Sequence, residues 1–428
     1  MSQKLRFIMV GLGNRNLGCF AKGLLGFPTK GFPEFREKSE IVALVDPNRS
    51  RAQAANTELK QDYPIYPSVE AAAAEVQADW AIITTPDFTH GNVAVAALDC
   101  GLNIVIDKPL ATSVWECNRI IEARDRNKKQ VIVGHNYRYH AYTLAAARLV
   151  REGAIGKVLQ VEAAEVLSYS HGGDYFHRWH SEFNKSAGLM NHKCCHFIDL
   201  INWIIDDSPV GVNAMGDRTF YVPRPDMKHG DRCSECEIGK DCPHFVDMEI
   251  WDGIRRKMYI ESEHEDGYKR DLCVFTDRHS INDREVLNLR YKSGITASFS
   301  MVTFNPTEYN YFFFTGTEGR LELGRDSKEH KSYLRHIKAD GTVEDLEFDI
   351  EHGEHGHGGA DVKLLASILG MEDIAGEIDP LQVATAEQAR DAVAVADMAA
   401  RSIADGGRYI GVEETGKDYP PSPPGGKS

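Results

Sequence analysis

At 428 residues the chain is too long for one ordinary hydrophobic core, so two domains are expected. Acidic residues outnumber basic ones, 64 to 49, for a net charge of −15, and no Lys/Arg cluster stands out, which excludes nucleic acid as the natural partner. No apolar run approaches the roughly eighteen residues that span a bilayer, and "MSQKLRFIMVGLG" reads as a first strand rather than a signal peptide, so a cytoplasmic protein is expected.

The first apolar run, "LRFIMV" at 5–10, stops at "GLGNRNLG". A buried strand, a glycine turn and then a helix is the arrangement that holds a pyrophosphate. Gly11 permits the turn, Gly13 lets backbone approach phosphate, and the helix points its first amides at the negative charge. The third glycine of that fingerprint is missing: Asn16 stands there, with Gly18 two positions later. The second run, "IVALVDPN", ends in Asp46, whose carboxylate would accept ribose hydroxyls and repel a 2′-phosphate, favouring NAD over NADP; Arg49 nearby leaves NADP open.

Further strands follow at "ADWAIITTPDFTH", "LNIVIDKPLAT" and "QVIVGHNYRY", separated by helical stretches that include "HGNVAVAALDCG" and "CNRIIEARDRNKK". This alternation predicts a doubly wound, parallel α/β (Rossmann) sheet over residues 1–138. Ligands of such sheets lie beyond the carboxyl ends of the strands. The expected dinucleotide contacts there are Gly11, Gly13, Asn14, Arg15, Asn16, Asp46, Thr85, Pro86, His90, Asp107 and Lys108.

The strand ending in Asp107-Lys108-Pro109, the "TTPDFTH" segment and "GHNYRY" together resemble the Gfo/Idh/MocA family of glucose–fructose oxidoreductase, inositol dehydrogenase and relatives. "VREGAIGKVLQVEA" is similar to that family's entry into its second domain, and "ATAEQARDAVAVADMAARSIADGGRYI" to its terminal helix. The resemblance implies a C-terminal α/β domain with a large, open, mainly antiparallel sheet, taken here as 139–408. It also implies an NAD cofactor, a carbohydrate substrate and a homodimer or homotetramer. Where the family has Glu-Lys-Pro this chain has Asp107-Lys108-Pro109. Where the family has Asp, His four residues on and a further Asp, this chain has His192, His196 and Asp199.

"NHKCCHFIDL", 191–200, carries that second motif. On one helix His192 and His196 would share a face. They are read as a metal pair, as structural histidines, or as proton-transfer groups beside the nicotinamide. The metal reading lacks the H-E-x-x-H pattern and an obvious third ligand. Alcohol oxidation needs a base near neutral pKa, which histidine supplies unperturbed and a desolvated lysine can supply. Lys108 is therefore expected to stabilise an alkoxide, His196 to take its proton, and His192 to orient or substitute.

In the second half, "KVLQVEAAEV", "EVLNLRYKSGITASFSMV" and "YNYFFFTGTEGRLELG" read as strands, with hairpin turns at 292–294 and 317–319. The aromatic run "YNYFFF" suits either a subunit interface or the core. Expected substrate contacts are Arg138, Tyr175, Arg178, Trp179, His180, Lys193 and, from "GEHGHGG" with His352 and His355 beside it, His357. Nine cysteines, an odd and mostly scattered set, fit reduced thiols rather than a disulfide framework. Within an insertion at about 225–250, Cys233, Cys236 and Cys242, flanked by His229 and His244, are either a structural zinc knuckle or simply reduced. The tail 409–428, ending "YPPSPPGGKS", is expected to be disordered.

The expected function is NAD-dependent oxidation of a secondary hydroxyl on a sugar, sugar derivative or cyclitol. The alternative is an NAD-dependent glycosidase that oxidises C3 transiently, eliminates and re-reduces. A third reading is a non-enzymatic sugar sensor.

Overall fold

Six short apolar runs alternate with helices and pair into one parallel sheet. In chain order they are β1 (Leu5–Val10), β2 (Ser39–Val45), β3 (Ile65–Tyr66), β4 (Trp80–Ile83), β5 (Asn103–Asp107) and β6 (Val131–Gly134). They lie in the order β3-β2-β1-β4-β5-β6. A computed structural model of the protein describes residues 4–28, 30–251, 253–327, 331–348, 357–371 and 378–421. The chain reverses its direction of travel between β1 and β4, and that switch opens a crevice at their carboxyl ends. Gly11 sits there at φ +79°, and a Cβ on it would lie 2.8 Å from the Thr85 backbone nitrogen, so no other residue fits. The helices start on side-chain caps: Asn48 accepts the Arg51 amide, and Ser113 accepts the Glu116 amide.

The second sheet has nine strands: β7 (Val158–Ser168), β8 (Pro209–Asp217), β9 (Arg284–Tyr291), β10 (Thr296–Asn305), β11 (Tyr309–Gly316), β12 (Gly319–Arg325), β13 (Ser332–Lys338), β14 (Val343–Asp345) and β15 (Ile410–Gly411). Their order is β14-β13-β12-β11-β7-β10-β9-β8-β15, antiparallel except for β7 beside β10. Both expected hairpins are present, the first turning at Gly294 with φ +95°. Strand alternation resolves "YNYFFF": Phe312 and Phe314 enter the core, while Tyr311 and Phe313 stack on the outer face with Arg320 over Phe313. Helices Ala141–Arg151, Cys195–Ile205 and Ala386–Ala404 cover the inner face.

The C-terminal segment corrects an expectation. Residues 409–421 do not hang free: Ile410 is buried and pairs with Val212, Asp418 receives Arg401, and Tyr419 packs edge-on against Phe183. Proline and glycine richness hid the apolar anchors. Among the described residues no helix is long and apolar enough to cross a membrane.

Candidate active site

The dinucleotide crevice is built from turn, helix and strand ends. Residues 14–24 form the helix behind the glycine turn. Asn16 is fully buried, donates to Thr84 Oγ1 at 3.1 Å, and keeps its Oδ1 without a protein donor. Asp46 accepts the Leu12 amide at 2.9 Å and the Asn48 amide at 2.9 Å, so it ties the glycine turn to the second strand. Burial pushes its carboxyl up, and Arg51, not Arg49, opposes this as the neighbouring cation. Only glycine fits at the turn, helix amides face the crevice, and a buried carboxylate stands at the second strand tip. These residues fit an NAD cofactor.

Other expected contacts are spent within the protein. Arg15 grips Asp107 with two nitrogens, at 3.0 and 3.2 Å, and reaches Asp361 at 2.9 Å. His90 is buried with Nδ1 2.8 Å from the Pro109 carbonyl and Nε2 2.9 Å from the Thr85 carbonyl, which braces the loop carrying Lys108. Thr85 accepts the Thr89 hydroxyl, and the Pro86 carbonyl accepts it too.

The expected single helix through His192 and His196 is instead two: Gly188–His192 ends, residues 193–194 turn, and Cys195–Ile205 begins. The break frees the His192 carbonyl from helical pairing, and Lys108 Nζ donates to it at 2.6 Å. The two rings consequently face different neighbours, so the zincin-like spacing has no structural counterpart. His192 Nδ1 lies 2.6 Å from Asp87 Oδ2. One proton must sit in a contact that short. Burial pushes the Asp87 carboxyl up to about 7, and burial followed by the Lys108 charge holds His192 well below the ordinary histidine range. Asp87 and His192 form a carboxylate–imidazole dyad that shares a proton.

His196 stacks on Tyr137 with ring centroids 4.2 Å apart, and its Nδ1 is buried without a protein partner. Burial, then the charge of Lys108, holds it well below the ordinary histidine range. The ammonium of Lys108 thus acts electrostatically on both histidines.

The helix Tyr169–Phe176 and the helical turn Trp179–Ser181 supply a wall. Trp179 stacks on His180 at 3.8 Å, His180 lies 4.2 Å from the His192 ring, and Tyr175 lies 5.5 Å from it. Arg178 pairs with Asp174 and lies over the Tyr175 ring. Two expected substrate contacts belong elsewhere. Arg138 is buried in a bidentate pair with Asp199 at 2.7 and 2.6 Å, and Lys193 is buried 3.1 Å from Glu165. Both cations lie inside the second domain because buried carboxylates receive them.

His357, at φ +52°, is exposed and holds Asp361 at 2.6 Å; His352 and His355 lie outside the described residues. Cys19, His357 and Asp361 form the one trio of potential metal ligands among the described residues, and Arg15 already donates to Cys19 and Asp361 there. Cys233, Cys236 and Cys242, joined by Cys273, line a small cavity with His229 and His244. No three of their ligand atoms gather as a metal site would require, so zinc is not supported. The thiols instead accept backbone amides, Gly230 to Cys236 and Phe275 to Cys273, both at 3.4 Å.

Sequence reading passed over Asp87, although it lies inside "TTPDFTH", and over Tyr137 beside Arg138. It also passed over the series Glu308–His171–Tyr175, with contacts of 2.9 and 3.1 Å. The joins of Asp87 to His192 and of Glu308 to His171 are long-range, so no local pattern announces them, whereas His171 and Tyr175 are i and i+4 on one helix.

Two family models cover the chain. Residues 5–135 match the oxidoreductase family's NAD-binding Rossmann fold, and residues 147–412 match its C-terminal alpha/beta domain. YteT of Bacillus subtilis (strain 168) is 27% identical over 435 aligned positions, 95% of this chain and 97% of that protein. Inositol 2-dehydrogenase of Salmonella typhimurium (strain LT2) is 28% identical over 186 residues, 43% of this chain and about half (51%) of that enzyme. Among solved structures, levoglucosan dehydrogenase in complex with NADH and levoglucosan superposes with TM-score 0.67 at 16% identity, over 96% of this chain and 100% of that one. The WlbA dehydrogenase from Bordetella pertussis, in complex with NADH and UDP-GlcNAcA, gives 0.65 at 17%, over 96% and 99%. With both domains matched in order, the chain belongs to the Gfo/Idh/MocA family of NAD-binding oxidoreductases.

Proposed function

We propose that the protein oxidises a secondary hydroxyl of a sugar, sugar derivative or cyclitol with NAD. The Asp87–His192 dyad beside Lys108 is the observation that carries this reading. NAD, when bound, supplies a hydride acceptor; the buried Asp46 at the second strand tip favours it over NADP. Lys108 stabilises the alkoxide as the hydroxyl loses its proton. That proton goes to His192 Nε2, because Nδ1 already shares a proton with Asp87. His196, held flat by Tyr137, positions the same hydroxyl. Trp179 and Tyr175 wall the pocket with aromatic surface, which suits sugar C–H faces.

A second reading keeps the site and changes the net reaction to glycoside cleavage by transient oxidation, elimination and reduction. It is favoured by Glu308–His171–Tyr175, a second acid/base series ending beside the His192 ring. His171 holds the Glu308 carboxyl down to about 2 against the effect of burial, so this carboxylate stays charged at neutral pH. Purified protein is incubated with free hexoses, cyclitols and aryl glycosides while reduced nicotinamide and aglycone are followed together. Reduction by free polyols supports the dehydrogenase, aglycone release without net reduction supports the glycosidase, and sugar binding with neither signal removes both.

The outer face of the nine-stranded sheet, bearing Tyr311 and Phe313, is the proposed contact for a second copy. Light scattering that finds only monomers would remove that part.

A further inference from the structure

The arm between β8 and β9, residues 218–283, leaves the large sheet and crosses to the dinucleotide-binding domain. Trp251, Met258 and Tyr259 bury themselves in one cluster with Phe7, Leu12 and Leu17. The Tyr259 hydroxyl accepts the Asn14 backbone N–H at 2.9 Å. That amide opens the helix behind the glycine turn, the group this fold offers to a pyrophosphate. A Cβ on Gly13 would lie 3.7 Å from the same hydroxyl. Among the described residues no acceptor receives the Tyr259 hydroxyl proton, so a donor stands unspent at the phosphate position. Arg270 lies 4.7 Å above the Tyr259 ring, and its Nε is buried without a partner. A hydroxyl donor beside the first amide of that helix suits a phosphate oxygen.

The same arm reaches the residues that follow Asp46. Asn48 donates to the Ser262 carbonyl at 2.8 Å, Arg51 donates to the Met258 carbonyl at 3.2 Å and pairs with Asp266 at 2.7 Å, and Glu265 accepts the Ser50 amide at 3.0 Å. These contacts span the ribose end of the crevice, as Tyr259 spans its phosphate end.

We infer that Tyr259 is a cofactor-binding residue. A phosphate oxygen of the dinucleotide takes the Asn14 amide, and the displaced hydroxyl donates to that oxygen. The arm from Met258 to Asp266 closes over the adenosine half as a strap, so the cofactor leaves only when the strap lifts. This rests on the assignment of NAD to the crevice and adds how the cofactor is retained.

The test uses the full chain. Binding of NAD is measured by calorimetry, and its release by stopped-flow fluorescence, for wild type, Tyr259→Phe and Glu265→Ala. Loss of a hydrogen bond to a charged group predicts binding about ten- to a hundredfold weaker in Tyr259→Phe, with faster release. Glu265→Ala, a change at the strap's rim, is expected to speed release several-fold with an unchanged thermal midpoint. Unchanged or tighter binding by Tyr259→Phe would overturn the inference, because the hydroxyl would then merely cover the amide. Unchanged release in Glu265→Ala would overturn the strap. Wild type that binds no NAD at all would instead sink the cofactor assignment itself, and the inference with it.

Discussion

Asp87, His192 and Lys108 come from three separate parts of the chain, and the chemistry depends on their joining. In the proposed reaction the 2.6 Å contact to Asp87 fixes the His192 tautomer and supports the imidazolium that would form on taking the hydroxyl proton. Asp87→Asn keeps the shape but donates to Nδ1, which forces the proton onto Nε2 and removes the base. Turnover is expected to fall about 10²- to 10⁴-fold with little change in KM, measured by steady-state kinetics on the best polyol. The pH profile follows from the same pair. With burial raising the Asp87 carboxyl to about 7, the dyad takes up a second proton as pH falls through that value. Wild-type kcat/KM should therefore decline below pH 7, and the Asn variant should lose that acid limb. A wild-type profile flat down to pH 5 would contradict the assignment. Lys108, His192 and His196 each stand in a short local pattern, so the sequence offers them as candidates. Asp87 could not be ranked among its neighbours, since nothing in "TTPDFTH" tells which residue meets an imidazole more than a hundred positions away.

Elements correct residues in two places. Breaking the helix at 193–194 turns a shared histidine face into two separate ones and hands the His192 carbonyl to Lys108. Periodicity alone predicts an unbroken helix, because apolar residues recur at helical spacing through Met190, Cys194, Phe197, Ile198 and Ile201. Arg138, placed by sequence at the substrate, clamps Asp199 inside the helix layer. Its replacement by alanine would leave Asp199 buried and unpaired, costing about 3–5 kcal/mol in denaturant titrations. A stable Arg138→Ala protein with only a raised KM would restore the substrate role. On β9, Glu285 is buried with Asn282 as its hydrogen-bond partner, and burial raises its carboxyl to about 7. The protonated form is the one that folding favours, so its stability is complete below the unfolded carboxyl's range and is lost as pH rises through 7. Glu285→Gln should gain about 1–3 kcal/mol over wild type at pH 8 and nothing at pH 4, by the same titration.

For the whole molecule, the site lies where the two sheets' layers meet: Lys108 and Asp87 come from strand ends of the first domain, His192 and His196 from the second. The parallel sheet, the second sheet and their order were legible because apolar runs, glycine turns and hairpin signals are local. The arm at 218–283 was legible only as a cysteine-rich insertion, since its work is done by Tyr259 and Asp266 on distant partners. The tail's return to β8 was masked by its proline content in the same way. The convergence of an ammonium and an imidazole from different domains on one hydroxyl is the central claim. Single-turnover reduction of bound NAD by the fastest polyol tests it most directly, in wild type, Lys108→Met and His192→Ala, each first shown to bind NAD. Both variants should bind NAD as wild type does and reduce it at least about a hundredfold more slowly. Reduction at the wild-type rate in either variant would contradict the account.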